Sequence, residues 1–328
     1  MAAGLALAAL AFSSCQSGGN GNGENGIESG AGATVRVAAM RGPTALGLLA
    51  LMRESDESRT QGSYEFTLLG SPVEVPPLLV GGEIDAVAVP GNLAAILYNQ
   101  TEGDVVALAI VTLGVLHLVD ATGEINSVED LRGRTVHVIG QAATPEFALN
   151  YVLGRNGLVP GEDVFVEFGS ENAEVAALLE TGQAQLALLP EPFVSTVLAG
   201  NPGLSIALDW TEEWNRVQPD YGLIMSVVVA RRAFVEENPA AAALLLEEYE
   251  RSIRYVLANT ASAAQMAVDF GIIPNLAIAE SALPRTHVVF ISGEEMRRNL
   301  VGFYGVLHDE SPAIIGGAMP GDGFYHIP

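Results

Sequence analysis

The chain contains no lysine: all 15 of its basic residues are arginine, set against 39 acidic residues, for a formal net charge of −24. A surface of that sign repels phosphate backbones and argues against a nucleic-acid partner. A single cysteine, Cys15, excludes an intrachain disulfide and any multi-cysteine metal site. The five histidines, His117, His137, His287, His308 and His326, have no metal-ligand spacing, and neither a glycine-rich phosphate loop nor a nucleophile elbow is present. These gaps leave little catalytic machinery, and no cofactor is expected. Beyond the N-terminal segment no apolar run reaches the roughly 18 residues that cross a bilayer. Charged residues make up only 16% and hydrophobic residues 49%, a balance that excludes a disordered chain.

The 328 residues suffice for about two domains, each with its own core. The apolar stretch from Met1 to Phe12 suits the core of a signal peptide and is too short to span a membrane. Phe12-Ser13-Ser14-Cys15 resembles a bacterial lipobox, so Cys15 is the expected lipid attachment point. The Gly/Asn-rich run after it has almost no side chains able to pack and reads as a flexible tether. A lipid-anchored, extracytoplasmic protein is the expectation.

From Thr34 onward β-rich runs alternate with helical patterns, the signature of parallel sheets covered by helices. Strands are expected at Thr34 to Ala39, Tyr64 to Leu69, Ile84 to Val89 and Val105 to Val111. The rhythm returns at Thr135 to Ile139, Val164 to Phe168, Gln185 to Leu189 and Leu204 to Leu208. The two stretches repeat at an offset near 100 residues. Leu79, Gly82 and Pro90 correspond to Leu179, Gly182 and Pro190, and Glu74-Val75 to Glu174-Val175. Such a series favours two similar α/β lobes. After a strand-like run at Leu223 to Val229 the pattern turns helical, with a long helix from Ala240 to Asn259 and a Gly/Pro-rich tail without regular elements. The expected division is 1–33 signal and tether, 34–115 first lobe, 116–225 second lobe, and 226–328 returning to the first. Two crossings, near Leu113 to Leu118 and Tyr221 to Val227, would form a hinge.

Ligands of open parallel sheets bind beyond the carboxyl ends of the strands, where helix N-termini offer free N–H groups. That rule selects loops at Met40 to Thr44, Gly70 to Pro72, Pro90 to Asn92, Gly140 to Pro145, Gly169 to Glu171 and Pro190 to Pro192. Within them Arg41 is a scarce cation suited to an anionic ligand group, and Glu191 is suited to an amine. Tyr98, Trp210, Trp214 and Tyr221 are candidate flat walls.

Arg41-Gly42-Pro43-Thr44, the Gly82-Glu83-Ile84-Asp85 turn into Val87 to Ala95, Leu113-Gly114-Val115-Leu116, Ala143-Thr144-Pro145-Glu146, Leu189-Pro190-Glu191-Pro192-Phe193 and Ile291 to Met296 together resemble substrate-binding proteins of bacterial ABC importers. The branch is the nitrate/sulfonate/taurine type, which is similar in fold to thiamine-pyrimidine synthases. The resemblance implies a two-lobed type II periplasmic-binding fold, each lobe a mostly parallel sheet flanked by helices, with a helical C-terminal return to lobe 1. It further implies a monomer that captures a small polar or anionic organic solute and delivers it to an ABC permease and its ATPase. The implied ligand contacts are Arg41, Gly42, Pro43, Thr44, Ser71, Asn92, Thr144, Pro145, Ser170 and Glu191. Two alternatives stay open: a sensory ligand-binding lipoprotein, and an enzyme on the same fold, of thiamine-pyrimidine or menaquinone-pathway type. Against the enzyme, the cysteine-rich iron motif of thiamine-pyrimidine synthases has no counterpart here.

Overall fold

A computed structural model describes residues 33–139 and 144–327. The signal, tether and Cys15 assignments lie outside the described residues. Two sheets organise the rest. The first has the strand order β11-β4-β10-β3-β1-β2 and the second β7-β6-β8-β5-β9.

In the first sheet β1 (Val35–Met40) lies parallel to β2 (Tyr64–Leu69) and β3 (Ala86–Pro90), while β10 (Ser226–Arg231) runs antiparallel between β3 and β4 (Val105–Thr112). The second sheet repeats this plan. There β6 (Thr135–Ile139) lies parallel to β7 (Phe165–Gly169) and β8 (Leu186–Pro190), while β5 (Leu116–Asp120) runs antiparallel between β8 and β9 (Ser205–Asp209). In each sheet the strand that has just arrived from the other lobe, β10 or β5, runs antiparallel to its neighbours. The chain crosses at 113–115 and again at 218–225. Gly114 in the first crossing packs so tightly that a Cβ there would meet Thr211 Oγ1 at 1.9 Å.

The helices follow from local pattern. In α9 (Pro239–Ala258) Pro239 occupies the first turn, where its missing N–H costs nothing, and Ala242, Leu245, Leu246, Tyr249, Ile253 and Val256 recur at helical spacing on the buried face. Each fully buried side chain of this size contributes about 1.5–3 kcal/mol. After β1 there is no single continuous helix but a 3-10 turn (Pro43–Leu48) followed by α1 (Leu49–Asp56). The Ser252 hydroxyl of α9 causes the break. It donates to Gly47 O and accepts from Leu51 N, displacing the bond those two groups would make in a continuous helix.

Four elements were not anticipated: β5, α7 (Trp210–Val217), α8 (Arg232–Glu237) and β11 (Val288–Ser292), the last pairing with β4. The C-terminal tail also departs from expectation. It forms 3-10 turns at Pro312–Ile315 and Asp322–Phe324, buries Phe324 against Tyr98, Tyr304 and Tyr325, and donates from His326 N to Ala107 O. Aromatic anchoring outweighs the local Gly/Pro content.

One continuous core joins the lobes, running from Val87 and Phe303 in the first through Leu116 to Leu149 and Trp210 in the second. No helix among the described residues is long and apolar enough to cross a membrane.

Candidate functional site

The carboxyl ends of β1, β2 and β3 face those of β6 and β8 across a cavity of about 450 Å³. Lobe 1 supplies Pro43, Thr44, Pro72, Pro90, Asn92, Leu93, Ile96 and Ser226; lobe 2 supplies Leu116, Ile139, Thr144, Pro145, Asn172 and Pro190. Val115 and Met225, one from each crossing, complete the wall. The two crossings are therefore part of the site. Backbone bonds fasten the two together: Glu191 N donates to Val115 O at 3.0 Å and Gly91 N to Met225 O at 3.1 Å. Across the cleft, Thr144 Oγ1 donates to Asn92 Oδ1 at 3.2 Å.

Of the residues singled out in sequence, Pro43, Thr44, Asn92, Thr144 and Pro145 meet at this cavity. Gly42 stands just outside, with a φ of 106° that places Pro43 at the start of its 3-10 turn. The other four are engaged elsewhere. The Arg41 side chain is exposed and donates to Gly271 O at 3.1 Å. Ser71 caps the turn at Pro72–Glu74, where Glu74 Oε1 accepts from Ser71 N at 2.7 Å and Gly70 N at 3.1 Å. Ser170 repeats the arrangement in lobe 2, with its N and Oγ donating to Glu174 Oε2 at 2.7 and 2.6 Å. The Ser170 hydroxyl and amide hold the Glu174 carboxyl below its ordinary pKa.

Glu191 is not presented to the cavity as an open carboxylate. Its side chain is 1% exposed and accepts from Arg285 Nε, from Ser195 N at 3.1 Å and from Ser195 Oγ at 2.7 Å. Arg285 also donates to Ser195 Oγ and Ser281 Oγ. Ser195 belongs to α6 (Phe193–Gly200) of lobe 2, whereas Arg285 ends a 3-10 turn after α11 (Leu276–Ala282) in the returning segment. Glu191 thus forms an interlobe clasp.

The candidate aromatic walls are structural as well. Trp210 and Trp214 are fully buried, donating from their indole nitrogens to Ala148 O and Tyr221 O. Tyr98 packs edge-on to Phe324, and the Tyr221 hydroxyl accepts from Gln218.

Sequence reasoning selected loops that contain Pro72, Pro90 and Pro190 without naming these prolines as ligand contacts, and it passed over Leu93, Ile96 and Asn172. A signal was present in the recurrence of proline at or beside the strand-to-helix junctions. Among the described residues no cluster of His, Cys, Asp or Glu could hold a metal ion.

No protein-family model matches the chain, and no curated protein matches it in sequence. Solved structures do. The chain is similar to an ABC transporter from Parabacteroides distasonis, with a TM-score of 0.75 and 21% identity over 90% of this chain and 98% of the other. The periplasmic aliphatic sulphonate binding protein SsuA from Escherichia coli gives 0.71 and 14% over 90% and 92%. The periplasmic nitrate-binding protein NrtA from Synechocystis PCC 6803 gives 0.53 and 16% over 72% and 66%. At these identities the likeness establishes the fold, a two-lobed periplasmic-binding architecture.

Proposed function

We propose that the chain is an extracytoplasmic solute-binding protein that closes two lobes around a small molecule and delivers it to the permease of an ABC importer. The observation that carries this reading is the cavity itself, built from both lobes and from both crossings. A ligand touching both lobes couples its binding to hinge closure. Among the described residues the lining consists of aliphatic, proline, hydroxyl and amide side chains, the kind of wall that holds a solute. Action as a monomer is part of this reading. The solved ABC import components with this fold support the permease and its ATPase as partners.

The test is a thermal-shift screen of sulfonates, nitrate, pyrimidines, flavins, amino acids, polyamines and neutral amides. A solute at 100 times its Kd stabilises by about 2.7 kcal/mol. Leu93→Trp, which places an indole in the cavity, is expected to abolish that stabilisation. A solute that stabilises wild type and Leu93→Trp equally would place its site elsewhere.

A lipid on Cys15 is proposed as the anchor, supported by the lipobox-like Phe12-Ser13-Ser14-Cys15 and the Gly/Asn run behind it. Cys15→Ser is expected to move the protein from the membrane to the soluble fraction after cell fractionation. An unchanged partition overturns the anchor.

A further inference from the structure

Helix N-termini around a cleft normally form its anion site, because their first N–H groups are unbonded and the helix dipole favours negative charge. Here several donors beside the cleft are, among the described residues, already taken. Glu74 occupies Gly70 N and Ser71 N, Glu174 occupies Ser170 N, and Glu191 occupies Ser195 N. Three further first-turn positions, Pro43, Pro72 and Pro145, carry no N–H at all. No cation compensates. All 15 arginines lie among the described residues, and none lines the cavity. A sulfonate or carboxylate entering this space would exchange its hydration for neutral groups, with two carboxylates standing two residues beyond Pro72 and Asn172.

The few polar groups that do line the cavity are selective in another sense. Asn92 Oδ1 is engaged by Thr144 across the cleft. Asn172 Oδ1 is buried and has no hydrogen-bond partner among the described residues. Turned into the cleft, that shielded acceptor would take a donor, an N–H or O–H, from the occupant. Thr44 and Ser226 add two hydroxyl-bearing side chains, and the remaining surface is apolar and rich in proline.

We infer that the cleft selects an uncharged, largely apolar organic molecule carrying a hydrogen-bond donor at one end, in preference to an organic anion. The inference rests on the solute-binding reading above and narrows its ligand class. A cavity of about 450 Å³ is of the size that holds a small organic molecule.

The test is calorimetric titration of the full chain with matched pairs that share one apolar body: benzamide and benzoate, hexanamide and hexanoate, 1-hexanol and hexane-1-sulfonate. Expected is binding of a neutral member at least about tenfold tighter than its anion, with an affinity insensitive to added salt. Asn172→Leu is expected to weaken the amide by about tenfold. An anion that binds as tightly as its neutral partner overturns this inference and leaves the solute-binding reading standing. The same holds if only a charged compound of the wider screen binds. Silence across both panels overturns both.

Discussion

Glu191→Ala is expected to cost the folded protein about 3 kcal/mol, read as a lower urea midpoint, while changing solute affinity less than tenfold. The carboxylate is almost wholly buried and neutralises Arg285, which is 30% exposed on its side chain. Removing it strands the guanidinium, together with Ser195 N, without the acceptor that both share. Breaking such a pair from one side costs more than the pair contributes net, because the remaining charge stays partly desolvated. Solvent access to Arg285 places the cost at the low end of the range. Glu191→Gln keeps an acceptor for Ser195 N and should fall between wild type and alanine. Stability and binding separate the ligand contact expected of Glu191 from the clasp that the structure shows. A ligand contact would lose affinity at an unchanged midpoint; an interlobe clasp does the reverse.

Asp85→Asn is expected to produce a loss of similar size, again about 3 kcal/mol near neutral pH. Asp85 sits 6% exposed beneath the first sheet and accepts from Arg36 N, Nε and Nη2 and from Arg231. Burial alone would raise its pKa, but the hydrogen bonds from Arg36 and Arg231 outweigh burial and hold it below the ordinary carboxylate value. A folded-state pKa below the unfolded one gives stability that is complete above the unfolded value, about 3.9, and disappears as pH falls through the folded one. Wild type and Asp85→Asn should therefore differ most at neutral pH and converge in acid. A gap that widens on acidification would contradict the assignment.

The repeat was legible because it rests on local requirements that both lobes share. Gly82 and Gly182 adopt φ values of 73° and 72°, and Leu79 and Leu179 are both buried at the same point of the rhythm. Glu74 and Glu174 reach back to the amides of Ser71 and Ser170 in the same way. β5 was not legible as a strand: it follows β4 across only three residues, so the apolar pattern runs on without a turn signal. α7 starts directly at the end of β9, with Asp209 as its cap, and leaves no loop to mark it.

At the site, the loops followed from the strand order, whereas their chemistry did not. Ser71, Ser170 and Glu191 are the residue types that bind ligands, but each is consumed by an intramolecular partner. For Glu191 that partner, Arg285, lies 94 residues away, beyond any local pattern. The scarcity of cations in a lysine-free chain made Arg41 conspicuous, yet its guanidinium is directed to Gly271 O. The same scarcity gains a different meaning in three dimensions: it leaves the cleft without charge.

The most direct measurement is a crystal structure of the chain grown with the tightest-binding neutral solute of the matched pairs. The account predicts that molecule between the lobes, in contact with Leu93 and Ile96 on one side and Ile139 and Pro145 on the other, with its donor on Asn172 Oδ1. Occupancy instead of the separate lobe 1 pocket beside Gln100, Arg231 and Arg232, with the interlobe cavity left unfilled, would contradict it.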